Sequence, residues 1–239
     1  MMFKHAFSLL VFTISLLLGH VSPALADGKD DPLLTKVLID QFEKRNTDGS
    51  DPLVLDGQAW IGRDLQKLWL KTEIERVDNE TEEAELQALY SHAIAPYWDL
   101  QLGLRQDFQP SPSRSWAVFG FQGLAPYFFE VDTALFIGES GRTALRLEAE
   151  YQLLFTQKLI LTPDVKVNFY GQNDKDLSIG SGLSDVEAGL RLRYEIRREF
   201  APYIGVNWNK SFGNTADFAR DQGEDTDDHQ WVIGLRAWF

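Results

Sequence analysis

From Thr35 to Phe239 apolar and polar positions alternate along the chain, and no stretch sustains a helical period. Alternation of this kind predicts strands with one apolar and one polar face. Twelve are expected, over residues 35–45, 53–61, 65–77, 83–94, 97–107, 115–122, 127–137, 142–155, 158–170, 184–198, 202–211 and 229–239. Most are close to the length that a tilted strand needs to cross a bilayer, about 9–11 residues. The faces separate best in the stretch 184–198. Val186, Ala188, Leu190, Leu192, Tyr194 and Ile196 fall on one side, and Asp185, Glu187, Arg191, Arg193, Glu195 and Arg197 on the other. In 142–155, Leu145, Leu147, Ala149, Tyr151 and Leu153 oppose Arg146, Glu148, Glu150 and Gln152.

The connections alternate too. Tight ones, such as Gly62-Arg63-Asp64, Ala95-Pro96 and Thr156-Gln157, take turns with longer polar ones. The longer set is Asn46 to Pro52, Asp78 to Glu82, Phe108 to Arg114, Gly138 to Gly141, Gly171 to Leu183 and Phe212 to Asp228. Short turns at one end and long loops at the other are the asymmetry of an outer-membrane barrel, and an even strand count returns both termini to one side. Ala95-Pro96-Tyr97, Ala125-Pro126-Tyr127 and Ala201-Pro202-Tyr203 each open a strand at the short-turn end. Their tyrosines are expected at interface height, where amphipathic rings are favoured.

The two termini decide which solvent the apolar faces meet. Lys4 and His5, the apolar run Ala6 to Leu18 and Ala24-Leu25-Ala26 read as a cleaved signal peptide over residues 1–26. Residues 27–34 read as a short periplasmic lead-in and 35–239 as a single barrel, with no second domain. The last strand, Trp231 to Phe239, stops on an aromatic residue, as outer-membrane barrels often do where the assembly machinery reads them. The expected fold is therefore all-β: one transmembrane antiparallel β-barrel of about 12 strands, apolar faces to outer-membrane lipid and charges inside.

Composition narrows the chemistry. There is no Cys, hence no disulfide and no thiolate ligand or nucleophile. The formal net charge of −13 argues against nucleic acid as a partner, because neutralising phosphates needs a basic surface. No G-x-S-x-G or H-E-x-x-H motif occurs, and the chain reads as non-enzymatic. Ser91 and His92 are neighbours in a strand and so face opposite sides, which separates them as a catalytic pair. His229, with Asp227, Asp228 and Glu224, is a weak candidate site for a divalent metal ion, set against the plainer reading of a solvated acidic loop. Arg146, Glu148, Glu150, Asp164, Lys166, Glu187, Arg191, Arg193 and Glu195 are expected to line the lumen. They can pair between adjacent strands, line an ion path, or do both.

Beyond this pattern, several stretches resemble the outer-membrane copper-resistance protein B family of Gram-negative bacteria. They include Ala59-Trp60-Ile61-Gly62, Leu68-Trp69-Leu70-Lys71, Gly123 to Glu130, Glu148-Ala149-Glu150-Tyr151, Tyr194 to Tyr203, Gly213-Asn214-Thr215-Ala216 and Arg236-Ala237-Trp238-Phe239. The resemblance runs from about Val54 to Phe239. It implies copper as the ion concerned, a role in copper tolerance by binding, sequestration or export, and a periplasmic multicopper oxidase as a partner. Family members often carry a Met- and His-rich segment before the barrel. Here Met1 and Met2 are the only methionines, so the thioether ligands that suit Cu(I) are missing beyond residue 2. A general small-solute channel or structural barrel stays open as the alternative, with a barrel hydrolase behind it.

Overall fold

A computed structural model of the chain describes residues 31–47 and 49–239. The signal peptide expected over 1–26 and the first part of the lead-in lie outside the described residues. Leu33–Phe239 form one compact unit.

Thirteen segments make twelve barrel strands. They are β1 (Leu34–Asn46), β2 (Leu53–Gly62), β3 (Gln66–Val77), β4 (Glu80–Ala95), β5 (Trp98–Gln109), β6 (Arg114–Ala125), β7 (Phe129–Gly138), β8 (Thr143–Glu150), β9 (Leu153–Leu154), β10 (Leu159–Tyr170), β11 (Gly182–Tyr194), β12 (Phe200–Ser211) and β13 (Asp227–Trp238). Each pairs antiparallel with its neighbours, and β1 pairs with β13, so the sheet closes. β8 and β9 are two halves of one strand that share β10 as partner. Their break at Tyr151 and Gln152 lies opposite Pro163, which has no N–H to give to the ladder. At the seam the Val37 N–H donates to the Phe239 carbonyl at 3.0 Å and the Phe239 N–H donates to the Val37 carbonyl at 2.8 Å. The last residue is thus stitched into the closure.

The face assignment follows the alternation. Leu190, Ile204, Trp231 and Ile233 are exposed on the outer wall, whereas Arg191, Arg193, Asn207 and Gln230 are buried inside. A strand in lipid has no other way to satisfy its backbone than this closed ladder.

Three expectations need correcting. The connection expected over Asp78 to Glu82 shrinks to Asp78–Asn79, both with positive φ, the geometry of a tight two-residue hairpin. The one expected over Phe212 to Asp228 contains a helix, α1 (Gly213–Gln222), too short for its period to stand out beside the strands. Tyr203 is not at the interface. In the first two Ala-Pro-Tyr copies the proline sits in the turn and the tyrosine is exposed with positive φ. In the third the turn comes earlier, β12 has begun at Phe200, and Tyr203 falls on the luminal face.

Candidate functional site: the charged lumen

Inward positions of the strands build the site. Glu43 of β1 has no exposed surface and is held by three strands: Arg191 of β11 donates to both its oxygens at 2.8 and 2.9 Å, Arg45 donates at 2.8 Å, and the Tyr203 hydroxyl donates at 2.8 Å. Arg191 also reaches Asp164 at 2.5 Å, and Arg45 reaches Glu187 at 2.8 Å. Space for this cluster comes from two glycines. A Cβ on Gly189 would stand 2.0 Å from Arg191 Nη1, and one on Gly234 would stand 2.7 Å from the Tyr203 ring and from Glu43.

A second cluster crosses the lumen. Arg146 of β8 forks onto Glu85 of β4 at 3.0 and 3.2 Å, and Lys166 of β10 donates to both oxygens of Glu73 of β3 at 2.6 Å. Arg105 joins Glu85 at 2.9 Å, and Lys71 of β3 meets Asp132 of β7. Nearer the termini, Arg236 lies 3.0 Å from Asp40 and 3.3 Å from Glu150. Arg193 donates to Gln152 at 2.7 Å and stands 4.0 Å from Glu195.

The luminal residues read from the sequence are therefore brought together, but chiefly with partners three to six strands away rather than next door. Adjacent-strand pairing is the minor pattern. Those partners, Glu43, Glu73, Glu85 and Arg45, were legible only as inward positions.

The interior is not wholly polar. Leu89, Trp116, Val118, Ala134, Phe136 and Ala144, from β4 and β6 to β8, form a buried apolar cluster inside the wall. Arg105 and Arg146 stack their guanidinium groups over Phe136, at 4.6 and 5.6 Å from the ring centre. This cluster and the Arg146–Glu85 pair fill the half of the lumen next to the long loops. The free space lies toward the end that carries the termini, as a cavity of about 540 Å³ walled by Asp40, Asp56, Glu148, Glu150, Lys166 and Arg236 among others. Between the two lies a separate small cavity of about 50 Å³, lined by Leu89, Val118, Phe136 and Arg146 on one side and Asp56, Glu73 and Asp132 on the other.

His229 points outward from β13. Its Nε2 lies 3.5 Å from Asp227 Oδ1, and its ring stacks on Trp208. Asp227 is already occupied by Trp208 Nε1 at 2.7 Å and Lys210 Nζ at 2.8 Å. Asp228 turns the other way and accepts from Gln230 at 2.7 Å, and Glu224 sits exposed beyond α1. Among the described residues no group of three or more His, Asp or Glu side chains is arranged to hold a metal ion. Ser91 and His92 face opposite sides: the Ser91 hydroxyl is buried on Asp99 at 3.0 Å, while His92 lies beside Leu100 in the outer wall.

A closed twelve-stranded barrel with an apolar outside and a charged inside is an outer-membrane β-barrel protein. Two solved structures share the fold. The NanC porin matches with a TM-score of 0.57 at 13% identity, over 85% of this chain and 99% of that one. The KdgM porin matches with a TM-score of 0.52 at 11% identity, over 86% and 99%. The sequence gives the finer answer. The family model described as Copper resistance protein B precursor matches residues 33–239. Copper resistance protein B of Escherichia coli is 52% identical over 205 residues, 85% of this chain and 69% of that protein. The Copper resistance protein B homolog of Pseudomonas syringae pv. tomato is 48% identical over 210 residues, 88% and 71%. The chain belongs to the copper resistance protein B family, and its place is the outer membrane.

Proposed function

We propose that this barrel contributes to copper resistance without catalysis, by holding Cu(II) loosely in its carboxylate-rich lumen and restricting its passage. The observation that carries this reading is the cavity on the periplasmic side. Its walls carry more carboxylates than cations, and Glu148 keeps 41% of its side chain exposed there. Such a concavity concentrates cations, and oxygen ligands suit Cu(II) better than Cu(I). The ion pairs across the lumen argue against free passage of larger solutes, which weakens the general-channel reading. A periplasmic multicopper oxidase remains the proposed partner on the side where the cavity opens.

Deleting the gene should make cells copper-sensitive, and resupplying the protein should restore tolerance. Unchanged tolerance with the protein absent would remove the copper role. Calorimetry of the refolded mature barrel is expected to show weak Cu(II) binding that Glu148→Gln reduces more than His229→Ala does. Under reducing conditions no stoichiometric Cu(I) complex should form, because the chain beyond residue 2 has neither Met nor Cys. Tight Cu(I) binding would mean that the ligand set lies elsewhere.

Phe239 is proposed to be read by the barrel assembly machinery. Its deletion should lower outer-membrane yield, seen as less heat-modifiable protein on a gel, through loss of the two seam hydrogen bonds as well as of the aromatic terminus. Normal yield of the truncated chain would count against both roles.

A further inference from the structure

The loop between β10 and β11, residues 171–181, does not stand clear of the barrel. Asp174 is only 8% exposed although it lies in this long connection. Arg114, at the outer end of β6, forks onto its carboxylate, with Nε to Oδ2 at 2.9 Å and Nη2 to Oδ1 at 3.2 Å. Arg142, just ahead of β8, adds a second guanidinium at 3.1 Å. These contacts run from the β10–β11 connection back over the β7–β8 hairpin, as a chord across the rim. On its other side the same loop is tied to α1. The Gly180 N–H donates to Thr215 Oγ1 at 2.8 Å, Gln222 donates to Ser178 at 2.5 Å and Asn214 donates to Asn173 at 3.1 Å. Loop and helix together bridge the rim from β6 round to β13, and the two arginines they engage, Arg114 and Arg142, stand two residues along the chain from Trp116 and Ala144 of the apolar cluster.

The way this strap is held matters. Its bonds are polar, and water can replace each of them. α1 buries only Ala216 and Ala219, and the loop ends at Gly182, whose φ of +91° suits glycine and leaves a hinge without a side chain. Segments with few buried apolar contacts are those that open below the cost of global unfolding. Asp174 is the residue of the loop on which two arginines converge, Arg114 of β6 and Arg142 just ahead of β8.

We propose that this strap is the outer gate of the barrel, latched by Asp174 between Arg114 and Arg142, and that its release exposes the lumen to the cell exterior. The proposal goes beyond the copper reading and does not depend on it.

The chain has no cysteine, so a single reporter thiol is specific. Asp185 lies on the luminal face of β11, three residues below Gly182, and its carboxylate accepts from Asn168 at 2.7 Å. Full-length D185C in intact cells is to be treated from outside with a membrane-impermeant maleimide. Labelling should be slow with the latch intact. It should quicken about tenfold or more with Asp174→Asn, or with Arg114→Gln and Arg142→Gln together, since either removes charge-assisted hydrogen bonds. Asp176→Asn should leave the rate nearly unchanged, because Asp176 is 70% exposed and its 3.6 Å approach to Arg114 is too long for a hydrogen bond. Heat-modifiable mobility verifies that each variant is folded. Fast labelling of the latched protein, or an unchanged rate in folded latch variants, would overturn the gate. So would loss of the folded form in both latch variants, which would make Asp174 a folding element instead.

Discussion

Glu43→Ala should be among the most damaging single changes in this barrel, costing about 3–5 kcal/mol of unfolding free energy. The carboxylate has no exposed surface and neutralises Arg191 and Arg45, and it accepts from Tyr203 as well. Removing it leaves two buried guanidinium groups facing each other with one fewer counter-charge, and such unpaired charges are what make a broken buried pair expensive. Urea unfolding of the refolded protein, followed by its tryptophan fluorescence, measures the loss. The double variant Glu43→Ala with Arg191→Ala should cost less than the sum of the two single ones, because each single change strands the other's charge. For contrast, Glu148→Gln should cost under about 1 kcal/mol, since that side chain is partly solvated and 3.9 Å from Arg146. A loss at Glu43 no larger than at Glu148 would show that the cluster decorates the lumen without holding the wall.

Leu190→Arg tests the other face. Leu190 stands on the outer wall beside Val206 and Pro163, four residues from Tyr194 at the periplasmic end, and is 41% exposed to what is lipid in the membrane. A guanidinium there should cost about 2–4 kcal/mol, the range for a cation near the midplane of a barrel's lipid face. Glu195→Gln on the luminal side should be nearly silent, because the cation beside it, Arg193, is 4.0 Å away. Equal costs at the two positions would mean that the wall is the wrong way round.

How the sequence reading met the structure depends on the range of each interaction. Alternation is local, so the strands and their faces could be read within each segment: Leu190 and Leu192 separate from Arg191 and Arg193 without knowledge of any neighbour. Strand ends were less legible. Val77 runs almost straight into Glu80 because Asp78 and Asn79 tolerate positive φ, a capacity that does not show in a polar run. α1 was missed because its ten residues bury only two alanines, too little apolar signal to compete with the strands around it. The Ala-Pro-Tyr repeat misled at Tyr203, where identical residues sit one turn geometry apart and so face opposite ways.

The candidate site divides along the same line. Arg146, Lys166, Arg191 and Glu187 could be assigned to the lumen because inwardness is a matter of parity along one strand. Their partners could not. Glu85 is 61 residues from Arg146, Glu73 is 93 from Lys166 and Glu43 is 148 from Arg191. Which carboxylate meets which cation is set by the closure of the sheet between β1 and β13 and by the stagger of the strands around it, and both belong to the whole barrel. The sequence alone determined a membrane barrel with a charged interior, since period-two patterning and terminal signals are written residue by residue. Only the tertiary structure decided that the charges span the lumen, that apolar side chains fill its outer half and that a strap crosses its mouth, because each of these needs side chains from distant strands at one height.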